Sequence, residues 1–375
     1  MAGLKFDIVI AGKGLTGRIA AIAMARLGFT VALIEKTRRQ DNTPRLYAIS
    51  PPNWLWLGTL GLIDETTLAT PAKTMIITSI SGRQLRLSSD MARRPALAYF
   101  IDESVLIQKA HHLLGESAVT LLSDATIVDV HEQTDNVALF LEDKHLHGKL
   151  LIIADGVFST LRGLIGIEAD IHDYGEDAIV AEFLPEKSHQ NEAWQWFGDQ
   201  EVLACLPKED GRISIVWSLK RNLALQYANP NALTHQLESK VSHRFGKLAL
   251  TSPIARYPLH KVNAASLALG RFFLLGDAAH AIHPLAGYGL NLTLGDLRAL
   301  AAILSNQTDP GAASLLLAMA KKRQLFDQTV SALVDNIHRY FTQQSFLGDG
   351  LFAVAKHVPV AQRALVRLAL EDHAP

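Results

Sequence analysis

A glycine turn closes the first strand of this chain and constrains everything that follows. Residues Phe6–Ala11 (FDIVIA) are a short apolar, β-branched run that suits a strand buried on both faces. Gly12-Lys13-Gly14-Leu15-Thr16-Gly17 follows, a G-x-G-x-x-G turn, and Ile19–Leu27 has the Ala, Leu, Met and Ile content of a helix. Gly28 ends that helix, Thr30–Ile34 (TVALI) is the next strand, and Glu35 closes it, so the first 36 residues predict a βαβ unit. In such a unit Gly12 permits the tight turn, Gly14 lets a pyrophosphate approach the backbone, and Gly17 lets helix pack on strand. The free N–H groups and positive dipole end of the helix attract phosphate. Glu35 stands where ribose hydroxyls need an acceptor, and Leu15, Thr16 and Lys36 complete the predicted dinucleotide site.

Composition excludes several classes. Thirty-six Lys and Arg against 37 Asp and Glu leave a formal charge of −1, whereas nucleic-acid binders that track phosphates carry a clear cationic excess. Cys205 is the only cysteine, which excludes an intrachain disulfide and a cysteine-ligated zinc or iron–sulfur site, and suits a reducing cytoplasm. With 49% hydrophobic and 19% charged residues, a chain of 375 residues has enough apolar content for two or three packed domains. Leu46–Ile63 and Ala278–Gly295 lack charge, but Pro, Asn and Gly interrupt both, so neither predicts a membrane-spanning helix. The start, MAGLKFDIVIAGKGLTG, turns glycine-rich before a long apolar stretch forms and reads as a strand entering a turn, not as a signal peptide.

Beyond Asp41 the pattern breaks into shorter pieces. It predicts a helix over Asn53–Leu60, a hairpin over Lys73–Ser88 turning near Ser81–Gly82, and an amphipathic helix over Asp102–Leu114. Strands are expected over Val119–Leu122, Thr126–His131, Val137–Leu141 and Leu150–Ala154. From Ala178 to about Ser218 the pattern alternates like an antiparallel sheet carrying Trp194, Trp196, Phe197 and Trp217. Asn231–Phe245 reads as a helix, Arg271–Leu275 (RFFLL) as a fully buried strand, and the chain past Leu290 as mostly helical. Buried strands at the N-terminus, near 150 and near 272 predict one α/β domain interrupted by an inserted sheet. Residues 1–72, 98–177 and 260–330 would form the first domain, 73–97 and 178–259 the second, and 331–375 a C-terminal helical segment.

Two further turns follow buried strands. Ala154-Asp155-Gly156-Val157-Phe158-Ser159-Thr160-Leu161-Arg162 contains Asp-Gly, by itself an ordinary turn signal. Gly276-Asp277-Ala278-Ala279-His280, then Pro284 and Gly287-Tyr288-Gly289-Leu290-Asn291, place a carboxylate at the end of another strand and permissive glycines before a helix. That pattern suits a diol hydrogen-bonded by Asp277 and a flat ring lying against glycine backbone. A helix N-terminus near Gly289–Asn291 would stabilise negative charge on the ring.

In this order and spacing the three motifs resemble the class A flavoprotein aromatic hydroxylases, those similar to p-hydroxybenzoate hydroxylase. Within them the chain most resembles the ubiquinone-biosynthesis hydroxylase family (UbiH/UbiF/VisC). Arg45-Leu46-Tyr47-Ala48-Ile49-Ser50, the Trp194–Pro207 stretch followed by Ser214-Ile215-Val216-Trp217, and Tyr257-Pro258-Leu259 resemble softer segments of the same family. The resemblance therefore spans nearly the whole chain. It implies an α/β fold: a Rossmann-like FAD-binding domain of the glutathione-reductase type, an inserted, mainly antiparallel β-sheet substrate domain, and a helical C-terminus.

The family implies FAD held in an extended form. The glycine turn and Glu35 would take pyrophosphate and ribose, and Arg45 the phosphate or ribityl region. Gln108 and Ile127 would lie near adenosine or pyrophosphate, Gly276 and Asp277 at the ribityl chain, and Pro284, Gly287, Gly289, Leu290 and Asn291 along the isoalloxazine. Asp155, Gly156 and Arg162 are implicated in cofactor binding and in the encounter with NAD(P)H, a transient reductant without a Rossmann domain of its own. The implied activity is hydroxylation of a polyprenyl phenol or quinol in ubiquinone biosynthesis, using NAD(P)H and O2 through a flavin C4a-hydroperoxide. Alternatives are a soluble aromatic acid as substrate, held by a cation such as Arg212 or Lys220, a flavin-dependent reductase, and a non-catalytic flavoprotein subunit of a quinone-biosynthesis complex.

Tyr288 stands where the family usually has Gln. It and His283 are the candidate catalytic residues by position, while His280 and His283 also read as ordering the turn beside the ring. His111-His112, His145/His147 and His280/His283 form no H-E-x-x-H pattern and have no cysteine partners, so no metal is expected. Trp194, Trp196, Phe197 and Trp217 either line a prenyl-phenol pocket or pack the sheet core. Leu351–Leu370, with one apolar face and Lys356, His357, Arg363 and Arg367, suits a docking helix or contact with an anionic membrane surface. The expected location is the cytoplasm, with peripheral contact at the inner membrane.

Overall fold

The apolar runs and glycine punctuation of the first 36 residues become β1 (Leu4–Ala11), α1 (Leu15–Arg26) and β2 (Val31–Ile34) in the computed structural model, which describes residues 4–36 and 44–342. Next come β3 (Leu46–Ile49), α2 (Pro51–Thr59), β4 (Thr70–Ala72), β5 (Thr74–Thr78), β6 (Gln84–Ser88), β7 (Ala98–Asp102) and α3 (Glu103–Gly115). They are followed by β8 (Thr120–Leu122), β9 (Ile127–Glu132), β10 (Val137–Leu141), β11 (His145–Ile153), α4 (Thr160–Leu164), β12 (Ala169–Pro185), β13 (Glu192–Gly198), β14 (Glu201–Pro207) and β15 (Ile213–Lys220). The remainder is α5 (Arg221–Ala224), α6 (Pro230–Phe245), β16 (Leu248–Leu250), β17 (Ala255–Ala264), β18 (Ala268–Leu269), β19 (Phe272–Leu274), β20 (His280–Ala281), α7 (Tyr288–Leu304) and α8 (Ala313–Thr342).

The first sheet has the order β18-β19-β11-β1-β2-β8, with the β9–β10 hairpin attached to β11. Strands β8, β2, β1, β11 and β19 run parallel. Parallel sheets are covered on both faces, which is why the buried Ile8–Ile10, Val31–Ile34 and Leu150–Ile153 are continuous apolar runs rather than alternating ones. Its three central loops, after β1, β11 and β19, therefore leave the same edge of the sheet.

The second sheet has the order β20-β17-β12-β15-β14-β13-β5-β6, with β16 beside β12. Its pairs are antiparallel except β5 with β13. One face packs on α6 through Leu233, Leu237, Val241 and Phe245, and Trp194 and Trp217 belong to this core. Alternation along β13 sends Phe197 to the opposite face, against α7 and α8. The sheet reaches past the expected limits of 178 and 259. β12 starts at Ala169 and stays in one strand through a bulge between Asp173 and Asp177, while β17 runs to Ala264 and β20 joins it. A small sheet, β3-β7-β4, bridges the two cores.

Of the expected C-terminal segment only residues up to 342, in α8, are described, and Leu351–Leu370 lies outside the described residues. Among the described residues no helix is long and apolar enough to cross a membrane.

Candidate functional site

The three turns singled out in the sequence meet one another, and the closeness is what demands their glycines. Gly12 has φ +111°, and a Cβ there would lie 2.2 Å from the Ala154 carbonyl oxygen, so the first turn touches the second. Arg162 donates from Nη1 to the Ala278 carbonyl at 2.7 Å, which ties the second turn to the third. Gly276 has φ +65°, and its Cβ would stand 3.2 Å from Thr16 Cγ2, which returns the third turn to the first. Gly17 seats α1 on β1, since a Cβ there would be 1.7 Å from the Gly12 oxygen. Gly14, by contrast, has nothing within 4 Å of its would-be Cβ. It is the N-cap of α1 and gives no side-chain cap, so the leading N–H groups of that helix face open space.

Around this junction lie the predicted polar groups. Glu35 closes β2, and its backbone bonds to Leu122 and Ala125, which brings the chain just ahead of Ile127 beside it. Its Oε2 accepts from Lys13 Nζ at 2.7 Å. Asp155 Oδ1 is buried with no hydrogen-bond partner among the described residues, and its Oδ2 accepts weakly from the Leu161 N–H at 3.4 Å. Asp277 is open to water at its surface, yet enough protein surrounds it that burial, opposed by His280 and Arg45, pushes its carboxyl above the usual carboxylate range. Water-exposed and protein-surrounded together describe a groove. Arg45 reaches the same groove, with its guanidinium 4.2 Å from the centre of the Tyr257 ring and 3.9 Å from Glu103. Burial works against its charge, but Tyr47, Tyr257 and Glu103 outweigh it.

The helix that follows the third turn is fixed by one amide. Asn291 donates from Nδ2 to Ala48 O at 2.7 Å and to Gly287 O at 3.0 Å, and accepts on Oδ1 from the Ser50 N–H at 2.9 Å. It therefore anchors the start of α7 to β3, the strand that begins beside Arg45. Gly287 has φ +68°, and its Cβ would lie 3.0 Å from Ala48 Cβ. As N-cap of α7 it too leaves the helix without a side-chain cap.

Both candidate catalytic residues point inward. Tyr288 is 7% exposed and packs among Phe197, Val202, Leu285, Leu292, Val330 and Val334. His283 is 1% exposed. Its Nδ1 accepts from the Leu285 N–H at 3.2 Å, and its Nε2 meets Glu176 at 3.4 Å. Glu176 also faces His338 of α8 at 3.2 Å. Burial would raise the Glu176 carboxyl, but His283 and His338 outweigh it and hold it near about 2. With both ring nitrogens committed, His283 orders the turn and has no nitrogen left for a substrate proton. The geometry also disfavours a metal at Glu176, His283 and His338. A neutral imidazole cannot accept on Nδ1 and ligate through Nε2 together.

A second buried cluster stands directly behind Asp277. His280 Nε2 meets Asp296 at 2.5 Å, and Asp296 also accepts from Arg323 Nε at 2.7 Å. Asp327 completes it, 3.2 Å from Arg323. Burial opposes charge on His280, but Asp296 outweighs it and holds the imidazole protonated up to about 9. Arg323 already supplies the cation that these carboxylates require.

Of the other predicted residues, Arg162 is buried and committed to backbone carbonyls at Val157 and Ala278, so it braces the turns from behind. Leu15 is buried in the core, and Lys36 is exposed beside Glu35. Gly156, at φ +97°, and Gly289 have open space at their would-be Cβ positions, while Pro284 and Leu290 are half-buried on either side of the α7 start. Gln108 is exposed on α3, the helix packed on α1, and Ile127 is buried at the start of β9. Arg212 is engaged by Asp210 and Glu182. Lys220 lines a cavity of about 400 Å³ with Glu176 and Arg221, which none of the three turns borders. Sequence reasoning missed Lys13, Glu176, Asp296 and His338, whose partners are distant in the chain, and Arg18, which bonds to the Lys13 carbonyl.

Comparison with known proteins agrees with this arrangement. The family model described as an FAD binding domain matches residues 5–334. Over 338 residues the chain is 29% identical to the 3-demethoxyubiquinol 3-hydroxylase of Escherichia coli, covering 87% of this chain and 86% of that one. Over 350 residues it is 30% identical to the ubiquinone hydroxylase UbiL of Rhodospirillum rubrum, covering 90% of this chain and 82% of that one. In fold it resembles the crystal structure of p-nitrophenol 4-monooxygenase PnpA from Pseudomonas putida, with a TM-score of 0.80, 17% identity, and 98% and 97% of the two chains covered.

Proposed function

The chain belongs to the FAD-binding-domain family, and from that premise we propose that it hydroxylates the aromatic ring of a polyprenyl phenol or quinol in ubiquinone biosynthesis, with NAD(P)H as transient reductant and O2 as oxidant. The observation that carries the reading is the closed contact of three separated turns around one groove, through Gly12 on Ala154, Arg162 on Ala278 and Gly276 on Thr16. The names of the Escherichia coli and Rhodospirillum rubrum relatives support the substrate class.

The donor set suits FAD. A helix N-terminus without a side-chain cap receives phosphate, Glu35 and Asp277 accept from hydroxyl groups, and Asp155 Oδ1 is a buried acceptor in search of a donor. Bound FAD supplies the redox and oxygen-transfer chemistry, and the protein supplies binding, orientation and electrostatics. The start of α7 presents its positive dipole end toward the ring position. The apolar cluster around Phe197, Val202, Tyr288 and Leu292 walls off water, which a reactive oxygen donor requires. In this reading Tyr288 shapes the pocket wall and His283 positions the turn, rather than either serving as the general base.

The engagement of Arg212 by two carboxylates and the apolar wall favour a prenylated ring over a soluble aromatic acid. The same reading divides the chain into a discontinuous cofactor domain around the first sheet and a substrate domain around the second. It also puts the protein at the cytoplasmic face of the inner membrane, where a prenylated substrate partitions.

Quinone profiling of a deletion strain tests the proposal. Expected are loss of ubiquinone and accumulation of an intermediate lacking one ring hydroxyl, reversed by the parent gene. An unchanged ubiquinone pool with no such intermediate would refute it.

A further inference from the structure

The glycine turn uses only the backbone of residue 13, yet the Lys13 side chain has a definite place. It crosses to the end of β2 and pairs with Glu35 at 2.7 Å, with only 13% of the lysine side chain exposed. One turn into α1, Arg18 donates from Nε to the Lys13 carbonyl at 3.1 Å. Its Nη1 is buried and finds no hydrogen-bond partner among the described residues. Glu35 also attracts the Arg18 charge, so two cations draw on one carboxylate at the start of a helix whose N-cap, Gly14, supplies no side-chain acceptor and borders open space. A buried guanidinium nitrogen with an unmade hydrogen bond is costly, and a helix N-terminus adds further positive potential. Among the described residues one carboxylate, Glu35, faces this pair, and an anion at the helix start would balance the second cation.

We infer that Lys13 and Arg18 are cofactor-binding residues, a cationic pair that offsets the diphosphate of FAD. The inference rests on FAD as the cofactor and goes beyond it by naming residues that the glycine motif does not specify. Since both cations act on phosphate, they favour ligands that carry the diphosphate over ligands that carry adenosine alone. A salt bridge serving only to tie the turn to β2 makes no such distinction.

The test uses the full chain, stripped of flavin and re-titrated with FAD, ADP or adenosine at low and high salt. Lys13→Met and Arg18→Met keep much of the side-chain bulk and remove the charge. Each is expected to weaken FAD and ADP by about tenfold or more at low salt, the value of a charge-assisted hydrogen bond. Each also flattens the salt dependence and leaves adenosine within about twofold of the parent. Equal losses for ADP and adenosine, or no loss for either, would overturn the inference. Thermal unfolding of the flavin-free variants checks the fold. If Arg18→Met does not fold, Lys13→Met decides alone by the same two results. A parent that binds no FAD overturns the cofactor reading and this inference together, whereas a parent that binds FAD with unaffected variants overturns only the inference.

Discussion

Removing the charge of Asp296 should change both how stable the protein is and how that stability depends on pH. Asp296 is fully buried and contacts His280 at 2.5 Å and Arg323 at 2.7 Å. Asp296→Asn keeps the shape but leaves two buried cations with Asp327 as their remaining carboxylate. Breaking a buried pair in this way costs roughly 3–5 kcal/mol. The pH dependence follows from His280, whose value rises from 6.5 to about 9 because Asp296 outweighs burial. A group raised on folding stabilises fully below its unfolded value and loses that contribution as pH climbs through its folded value. The parent should therefore lose roughly 3 kcal/mol between pH 6.5 and 9.5 from this group. Asp327 is itself raised from 3.8 to about 7 by burial and Asp296, so its loss has the same direction but falls mainly between pH 3.8 and 7, with only its tail inside this window. In the variant both shifts collapse, so its curve is flatter and approaches the parent's at alkaline pH. Urea unfolding followed by tryptophan fluorescence, at fixed excess FAD, measures both curves. Parallel curves separated by a constant amount would refute the electrostatic account, leaving only a packing defect.

Gly17→Ala and Gly14→Ala should part company. The first puts a Cβ 1.7 Å from the Gly12 oxygen and the second puts one in open space, so thermal melting of the flavin-free protein should fall by several degrees only for Gly17→Ala, while FAD titration weakens for both. Glu176→Gln should lower stability at neutral pH and lose its difference from the parent in acid. Glu176 is depressed from 4.5 to about 2, so its contribution is present above pH 4.5 and disappears as pH falls toward 2. Acid titration by fluorescence checks this, and a gap undiminished at pH 2 would contradict it.

Much of the scaffold was legible because it rests on local signals. Buried parallel strands are continuous apolar runs, which is why β1, β2, the end of β11 and β19 stand out in the sequence, and Ser79 and Gly82 close the expected β5–β6 hairpin. The glycines were legible because close approach leaves no room for a Cβ. Less legible were groups whose meaning comes from the other side of the fold. Arg162 looks like a ligand-facing arginine until Ala278 and Val157 claim it. His283 looks like a base until Leu285 and Glu176 occupy both nitrogens. Asn291 borders the ring segment in sequence, but its amide is committed to Ala48, Gly287 and Ser50. The second sheet begins earlier than expected because β12 starts at Ala169 and continues through a bulge between Asp173 and Asp177.

The most direct check of the shared cradle is the amount of FAD carried per chain by purified parent and Asp277→Ala protein, read from the two visible flavin bands and from flavin released on denaturation. The account predicts one FAD per parent chain, released non-covalently, and a variant that folds but is largely colourless. A parent without flavin, or an Asp277→Ala protein holding it at full occupancy, would contradict the claim that these distant turns form one cofactor site.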